Sequence, residues 1–135
     1  MDFNYDVAFS RNIGWVTHEE QASLRNKRVA IAGCGGVGGL HSITLARLGV
    51  GNLNISDFDQ FDIHNINRQS GAFVSTKDQD KISVMTTMLK DINPELGINE
   101  YPQGIDESNV DDFLDGVDLY IDSLDFFALA ARKLV

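Results

Sequence analysis

Cysteine is nearly absent from these 135 residues: Cys34 stands alone, so no intramolecular disulfide can close and no multi-cysteine metal site can be assembled within the chain. Cations are scarce too, 11 Lys plus Arg against 20 Asp plus Glu, for a formal charge of −9. A broad nucleic-acid or anionic-membrane surface needs a cationic face to neutralise phosphates, so this balance argues against both and leaves any anionic ligand to be held locally. No apolar run approaches membrane-spanning length, and Met1-Asp2-Phe3-Asn4-Tyr5-Asp6 has neither the basic start nor the apolar centre of a signal peptide. The expectation is a reduced, soluble, cytoplasmic protein. With so few cations, Arg11, Arg68 and Lys81 gain weight wherever they fall beside an anion-binding turn.

What is present is enough apolar residue, 43%, for one domain with a real core. Thr17-His18-Glu19-Glu20 reads as a capping box opening a short helix over 18–25. Arg28-Val29-Ala30-Ile31-Ala32 is a β-prone run of the kind buried on both faces of a parallel sheet. After it, Leu40, Ile43, Ala46 and Leu48 recur at helical spacing over 37–48, and Gly49 supplies a left-handed residue to end the helix. A second strand follows over 53–57. Residues 58–75 are irregular and polar, longer than an ordinary connection and so expected to be functional.

Helical spacing returns with Ile82, Met85, Met88, Leu89 and Ile92 and stops at Asn93-Pro94. A strand over 97–102, a helix over 107–115, a strand over 117–122 and a last helix from about Phe126 complete the order. This alternation predicts an α/β fold, a doubly wound, Rossmann-like, mainly parallel sheet over residues 27–135, preceded by an N-terminal arm and helix over 1–26. The order stops inside a helix at Leu134-Val135, which predicts a domain cut short at its C-terminal side.

Gly33-Cys34-Gly35-Gly36-Val37-Gly38-Gly39 contains the G-x-G-x-x-G spacing on Gly33, Gly35 and Gly38, between a strand and a helix. The first glycine makes the tight turn, the second lets backbone approach phosphate, and the third packs helix on strand; free amides and the helix dipole then favour an anion. Asp57, 24 residues after Gly33, stands where an acid accepts from ribose hydroxyls. Nicotinamide and adenylate ligands both satisfy those features. Asn65, Arg68 and Lys81 have no role in an ordinary nicotinamide site, whereas a triphosphate lying across the turn needs guanidinium and ammonium groups to hold it.

In register, Ser10-Arg11-Asn12, the glycine run, Leu48-Gly49-Val50-Gly51, Asp57-Phe58-Asp59, Asn65-Ile66-Asn67-Arg68-Gln69, Lys81, Asn93-Pro94 and 118–125 make a chain that resembles the ThiF/MoeB family, bacterial relatives of ubiquitin-activating enzymes. The resemblance implies an ATP-dependent adenylyltransferase that activates a carboxylate, usually the C-terminal glycine of a ubiquitin-like sulfur carrier, as an acyl-adenylate with release of pyrophosphate. It places Gly36 beside the phosphates, Asp57 on the ribose, and His64, Asn65, Ile66, Asn67, Arg68 and Lys81 around the triphosphate. Asp125 matches the family's magnesium-linked acid, and Arg11 an arginine that reaches across a dimer interface to the partner's ATP, so a homodimer is implied. Two positions depart from the family pattern: Phe126 follows Asp125 where Asn is common, and Arg132 falls two residues later than the family arginine.

Competing readings are an NAD-binding oxidoreductase domain, resting on the glycines and Asp57 alone, and a non-catalytic nucleotide-binding relative, resting on Phe126 and Arg132. Within the family an ATP-dependent modifier of tRNA is a further reading, against which the charge of −9 counts. Cys34 reads as a packing residue, Asp59 as structural, and His18, His41 and His64 show no metal-ligand spacing.

Overall fold

A computed structural model describes residues 2–125 and 128–135 of the chain. Four parallel strands form one sheet in the order β3-β2-β1-β4, with β1 Arg28–Ala32, β2 Asn52–Ser56, β3 Gly97–Tyr101 and β4 Leu119–Asp122. Helices connect them: α3 Gly36–Leu48 between β1 and β2, α4 Lys81–Ile92 between β2 and β3, and α5 Val110–Leu114 between β3 and β4. Before the sheet come α1 Tyr5–Ala8 and α2 His18–Leu24, and α6 Leu129–Leu134 ends the chain. The parallel α/β architecture is the expected one. Among the described residues no helix is long and apolar enough to cross a membrane.

The period-2 alternation of β1 decides which core each side chain enters. Val29 and Ile31, with Leu53 and Ile55 of β2, face α3 and α4, where Ala46, Met85 and Leu89 close the larger core. Ala30 and Ala32 point to the other face, against Phe113 of α5 and Tyr101. On β2 that second face is polar, and the buried Asn54 is satisfied by donating to the Phe113 carbonyl (2.8 Å) and accepting from Arg28 (2.8 Å) and Asn99 (3.0 Å). Hence a strand with polar residues inside still packs on both faces.

Several boundaries differ from expectation. The fifth helix covers Val110–Leu114 rather than 107–115, because Asp106 accepts from the Ser108 amide (2.8 Å) and Asn109 from the Asp106 amide (2.9 Å), making a turn where a helix was expected to start. The last helix starts at Leu129; Phe126, its expected first residue, lies outside the described residues.

Helix α3 sits differently on the sheet from the way its leucines suggest. Its buried face is Gly38, Gly39, Ser42 and Ala46, while Leu40 is 56% and Leu48 42% exposed. Small residues let the helix axis approach the strands closely, and that rotation turns the larger leucines outward. The expected ending at Gly49 is present, with φ +91°. At that same end the arm docks: Gln21 donates to the Leu48 carbonyl (2.9 Å) and Asn12 to the same oxygen (3.2 Å). The capping box of α2 also forms, Thr17 accepting from the Glu20 amide (3.1 Å) and Glu20 from the Thr17 amide (2.9 Å).

Candidate functional site

β1 has β2 on one side and β4 on the other, so the connections diverge at its carboxyl end and leave a crevice there. The glycine turn fills it. Gly33 has φ +99° and donates to the Ser56 carbonyl (2.8 Å), while Ser123 at the end of β4 donates to the Ala32 carbonyl (2.9 Å). A side chain on Gly33 would collide with the Ser123 carbonyl, and one on Gly38 with the Gly33 carbonyl and, at 2.9 Å, with Ser123 Cβ. The two glycines therefore let helix, turn and the start of the β4 loop touch backbone to backbone. Gly35 caps α3 with no side-chain bond, so the first amides of the helix, with Gly36, keep free hydrogens and the positive end of the dipole.

Asp57 follows β2 and grips the turn: its Oδ2 accepts from the Cys34 amide and its Oδ1 from the Asp59 amide, each at 2.8 Å. A carboxylate has about four lone-pair sites, so the outer pair remains for ribose hydroxyls. Cys34 packs in the larger core at 2% exposure, where burial first, then the Asp57 charge, push its thiol up to about 12, with Lys81 opposing. Asp59, read from the sequence as structural, accepts from the Lys81 amide at 3.0 Å through its carbonyl. Partial burial, then Asp57, hold its carboxyl above the usual range, with Lys81 opposing and Asp125 adding. These mutual effects put Asp57, Asp59, Lys81 and Asp125 in one neighbourhood.

The 63–69 segment folds back over the turn. Arg68 lies over Gly36, where a Cβ would meet its Cγ at 3.4 Å, and Gln69 lies over Gly35. Arg68 donates to the His64 carbonyl (3.3 Å) and the Asn67 Oδ1 (2.9 Å) and has no carboxylate partner among the described residues. Asn65 is buried, its Oδ1 accepting from the Asp62 amide (2.8 Å), so its side chain holds the loop's shape; His64 and Ile66 are exposed. Lys81 opens α4 and is only 7% exposed. Its ammonium stands 5.7 Å from the Phe61 ring centroid and, among the described residues, makes no hydrogen bond or ion pair.

Asp125 follows β4, exposed, its carboxylate without a hydrogen bond among the described residues. Among those residues no group of three or more His, Cys, Asp or Glu could hold a metal ion unaided. Mg2+ typically takes one or two carboxylates plus phosphate oxygens and water, so an exposed Asp125 without a hydrogen bond among the described residues fits a magnesium ion that arrives with a nucleotide. Arg132 is engaged with Asp122 at 2.6 Å. Arg11 lies elsewhere: it is exposed and adjacent to Asn12, whose side chain bonds the Leu48 end of α3, and that end is about 18 Å along the helix from Gly36 at 1.5 Å per residue.

Sequence reasoning missed Gln69, Ser123 and Phe61. Gln69 Oε1 and Ser123 Oγ are buried at the turn without hydrogen-bond partners among the described residues. Gln69 was visible only as the last residue of a motif, and nothing in the sequence marks Ser123 or Phe61 as neighbours of Gly33 or Lys81.

The model of the ThiF family matches residues 9–135. The chain is 40% identical over 118 residues to a tRNA threonylcarbamoyladenosine dehydratase of Bacillus subtilis, covering 87% of this chain and 46% of that protein. It is 34% identical over 109 residues to a molybdopterin-synthase adenylyltransferase of Escherichia coli, covering 81% and 44%. Among solved structures, Escherichia coli TcdA, a tRNA threonylcarbamoyladenosine dehydratase, shares the fold with a TM-score of 0.89 at 24% identity, covering 96% of this chain and 54% of that one. That enzyme has also been solved in complex with ATP. The chain thus spans about half the length of the relatives it matches.

Proposed function

The chain belongs to the ThiF family, and on that footing we propose that it binds ATP with Mg2+ across the glycine turn and that the whole protein uses the site to activate a carboxylate as an acyl-adenylate. The observation that carries this reading is Lys81: a residue only 7% exposed whose ammonium has no ion pair among the described residues, near a glycine turn already covered by Arg68. Two cations without carboxylate partners among the described residues, held near one anion-binding turn, are what an anionic ligand would pair with. A nicotinamide dinucleotide brings a diphosphate to the turn, less charge than a triphosphate, which two cations match better.

In the step, a carboxylate oxygen of the substrate attacks the α-phosphorus. The bond from that phosphorus to the bridging oxygen breaks, and pyrophosphate leaves with the electron pair. Lys81 and Arg68 meet the charge that develops on the phosphoryl oxygens and the leaving group, while the α3 amides and Gly36 let the phosphates lie close. Asp57 would orient the ribose, and Asp125 would hold a magnesium ion, whose chemistry there would be to neutralise phosphate charge.

For the carboxylate, the dehydratase at 40% identity favours the threonine carboxylate of threonylcarbamoyladenosine in tRNA. Once that carboxylate is an acyl-adenylate, attack by a neighbouring nucleophile of the same group expels AMP, and the net change is loss of water. A second reading, the C-terminus of a ubiquitin-like carrier protein, is supported by the molybdopterin-synthase adenylyltransferase. The test is pyrophosphate exchange by the full-length protein with either substrate. Exchange dependent on the modified tRNA bears out the first reading and exchange dependent on the carrier the second. Exchange with neither, together with calorimetric preference for NAD over ATP, would overturn adenylation itself.

The same reading makes the protein a cytoplasmic homodimer in which Arg11 serves the partner's site. Support comes from its distance from its own turn and from the outward apolar row Val37, Leu40 and Leu48 on α3.

A further inference from the structure

Three side-chain contacts at the end of β4 close a small ring around one peptide. Asp122 Oδ1 accepts from the Leu124 amide at 3.1 Å, its Oδ2 accepts from Arg132 Nε at 2.6 Å, and Arg132 Nη2 donates to the Leu124 carbonyl at 2.8 Å. Leu124 is thereby held at both its N–H and its C=O by one ion pair that bridges β4 and α6. The pair is half-buried, with side chains 33% and 35% exposed, and Arg132 holds the Asp122 carboxyl below its usual range. Next along the chain is Asp125, whose carboxylate has no hydrogen bond of its own among the described residues. On the other side is Ser123, packed against Gly33 and Gly38.

We propose that Arg132 is a positioning residue: paired with Asp122, it fixes the Leu124 peptide and so sets where Asp125 stands relative to the glycine turn. This rests on the reading of Asp125 as the magnesium-linked acid. A carboxylate with no partner of its own can be aimed only through its backbone, and here that backbone is fixed by the fork of a guanidinium, which engages carboxylate and carbonyl together. The displacement of Arg132 from the family pattern thus corresponds to a defined contact within the chain.

The experiment is calorimetry of ATP binding to the full-length protein at graded Mg2+. Arg132→Ala should raise the Mg2+ needed for half-maximal binding by about tenfold, the scale for losing an outer support of a metal ligand. ATP binding in EDTA and the urea unfolding midpoint should stay at wild type. Arg132→Lys should shift in the same direction, since one ammonium does not reproduce the two-point fork. Asp122→Asn keeps the Leu124 cap and removes the charge pair, and it gives the same readout should Arg132→Ala not fold. A wild-type Mg2+ requirement in these variants, or an equal loss of binding with and without Mg2+, overturns the positioning role. Asp125→Asn separates the layers: if it raises the Mg2+ requirement while the Arg132 variants do not, only the positioning role fails. If Asp125→Asn also leaves it unchanged, the reading of Asp125 fails beneath it.

Discussion

Lys81 is the residue at which burial and chemistry meet. It opens a helix, its stem is covered, and among the described residues its charge has the Phe61 ring and more distant carboxylates for company. Lys81→Ala should slow substrate-dependent pyrophosphate exchange by about 10²-fold, as expected when one transition-state donor is lost, and Arg68→Ala should act on the same scale. Unchanged exchange in both would remove the cations from the mechanism. Cys34 illustrates the opposite case. Since burial and Asp57 push its thiol up to about 12, the thiolate is negligible at pH 8, and a thiol reagent should label it only after urea unfolds the protein. Rapid labelling of the native state would contradict the packing. Gly38→Ala tests the close approach, because the new methyl meets the Gly33 carbonyl and Ser123 Cβ; a loss of about 1–3 kcal/mol in urea unfolding is expected.

Among the elements, α3 is the most informative. Its sequence offers leucines at helical spacing, yet Gly38, Gly39, Ser42 and Ala46 form the buried side because the glycines at its start bring the helix down onto β1. Periodicity finds such a helix without fixing its rotation, since the stripe it detects is set by residue size and the observed one by closeness. α2 is simpler: its capping box was legible because both partners lie within four residues, and it formed. Thr17→Ala should cost about 1 kcal/mol, read as a lower urea midpoint. Asp57 lies between these cases. Its place after β2 was legible, but its grip on the Cys34 amide, 23 positions earlier, depends on β1 and β2 pairing in register.

At the scale of the whole molecule, Arg11 and the glycine turn occupy opposite ends of α3. If Arg11 completes the site of a second copy, Arg11→Ala and Lys81→Ala proteins, each nearly inactive alone, should regain about a quarter of wild-type activity when mixed and allowed to exchange subunits, because half the dimers are mixed and each carries one intact site. No recovery in a mixture shown to contain mixed dimers would place Arg11 outside the reaction.

The parallel α/β order and the glycine turn were legible in the residues alone, because both depend on residue types at fixed local spacings. It took packing to bring Arg68 over Gly36, to close Ser123 on Gly33, to set Asp59 near Asp57 and Lys81, and to let Asp122 and Arg132 hold Leu124 ahead of Asp125. Each of those is a meeting of segments far apart in the chain or of side chains at a loop, where local spacing carries no distance and packing alone supplies it.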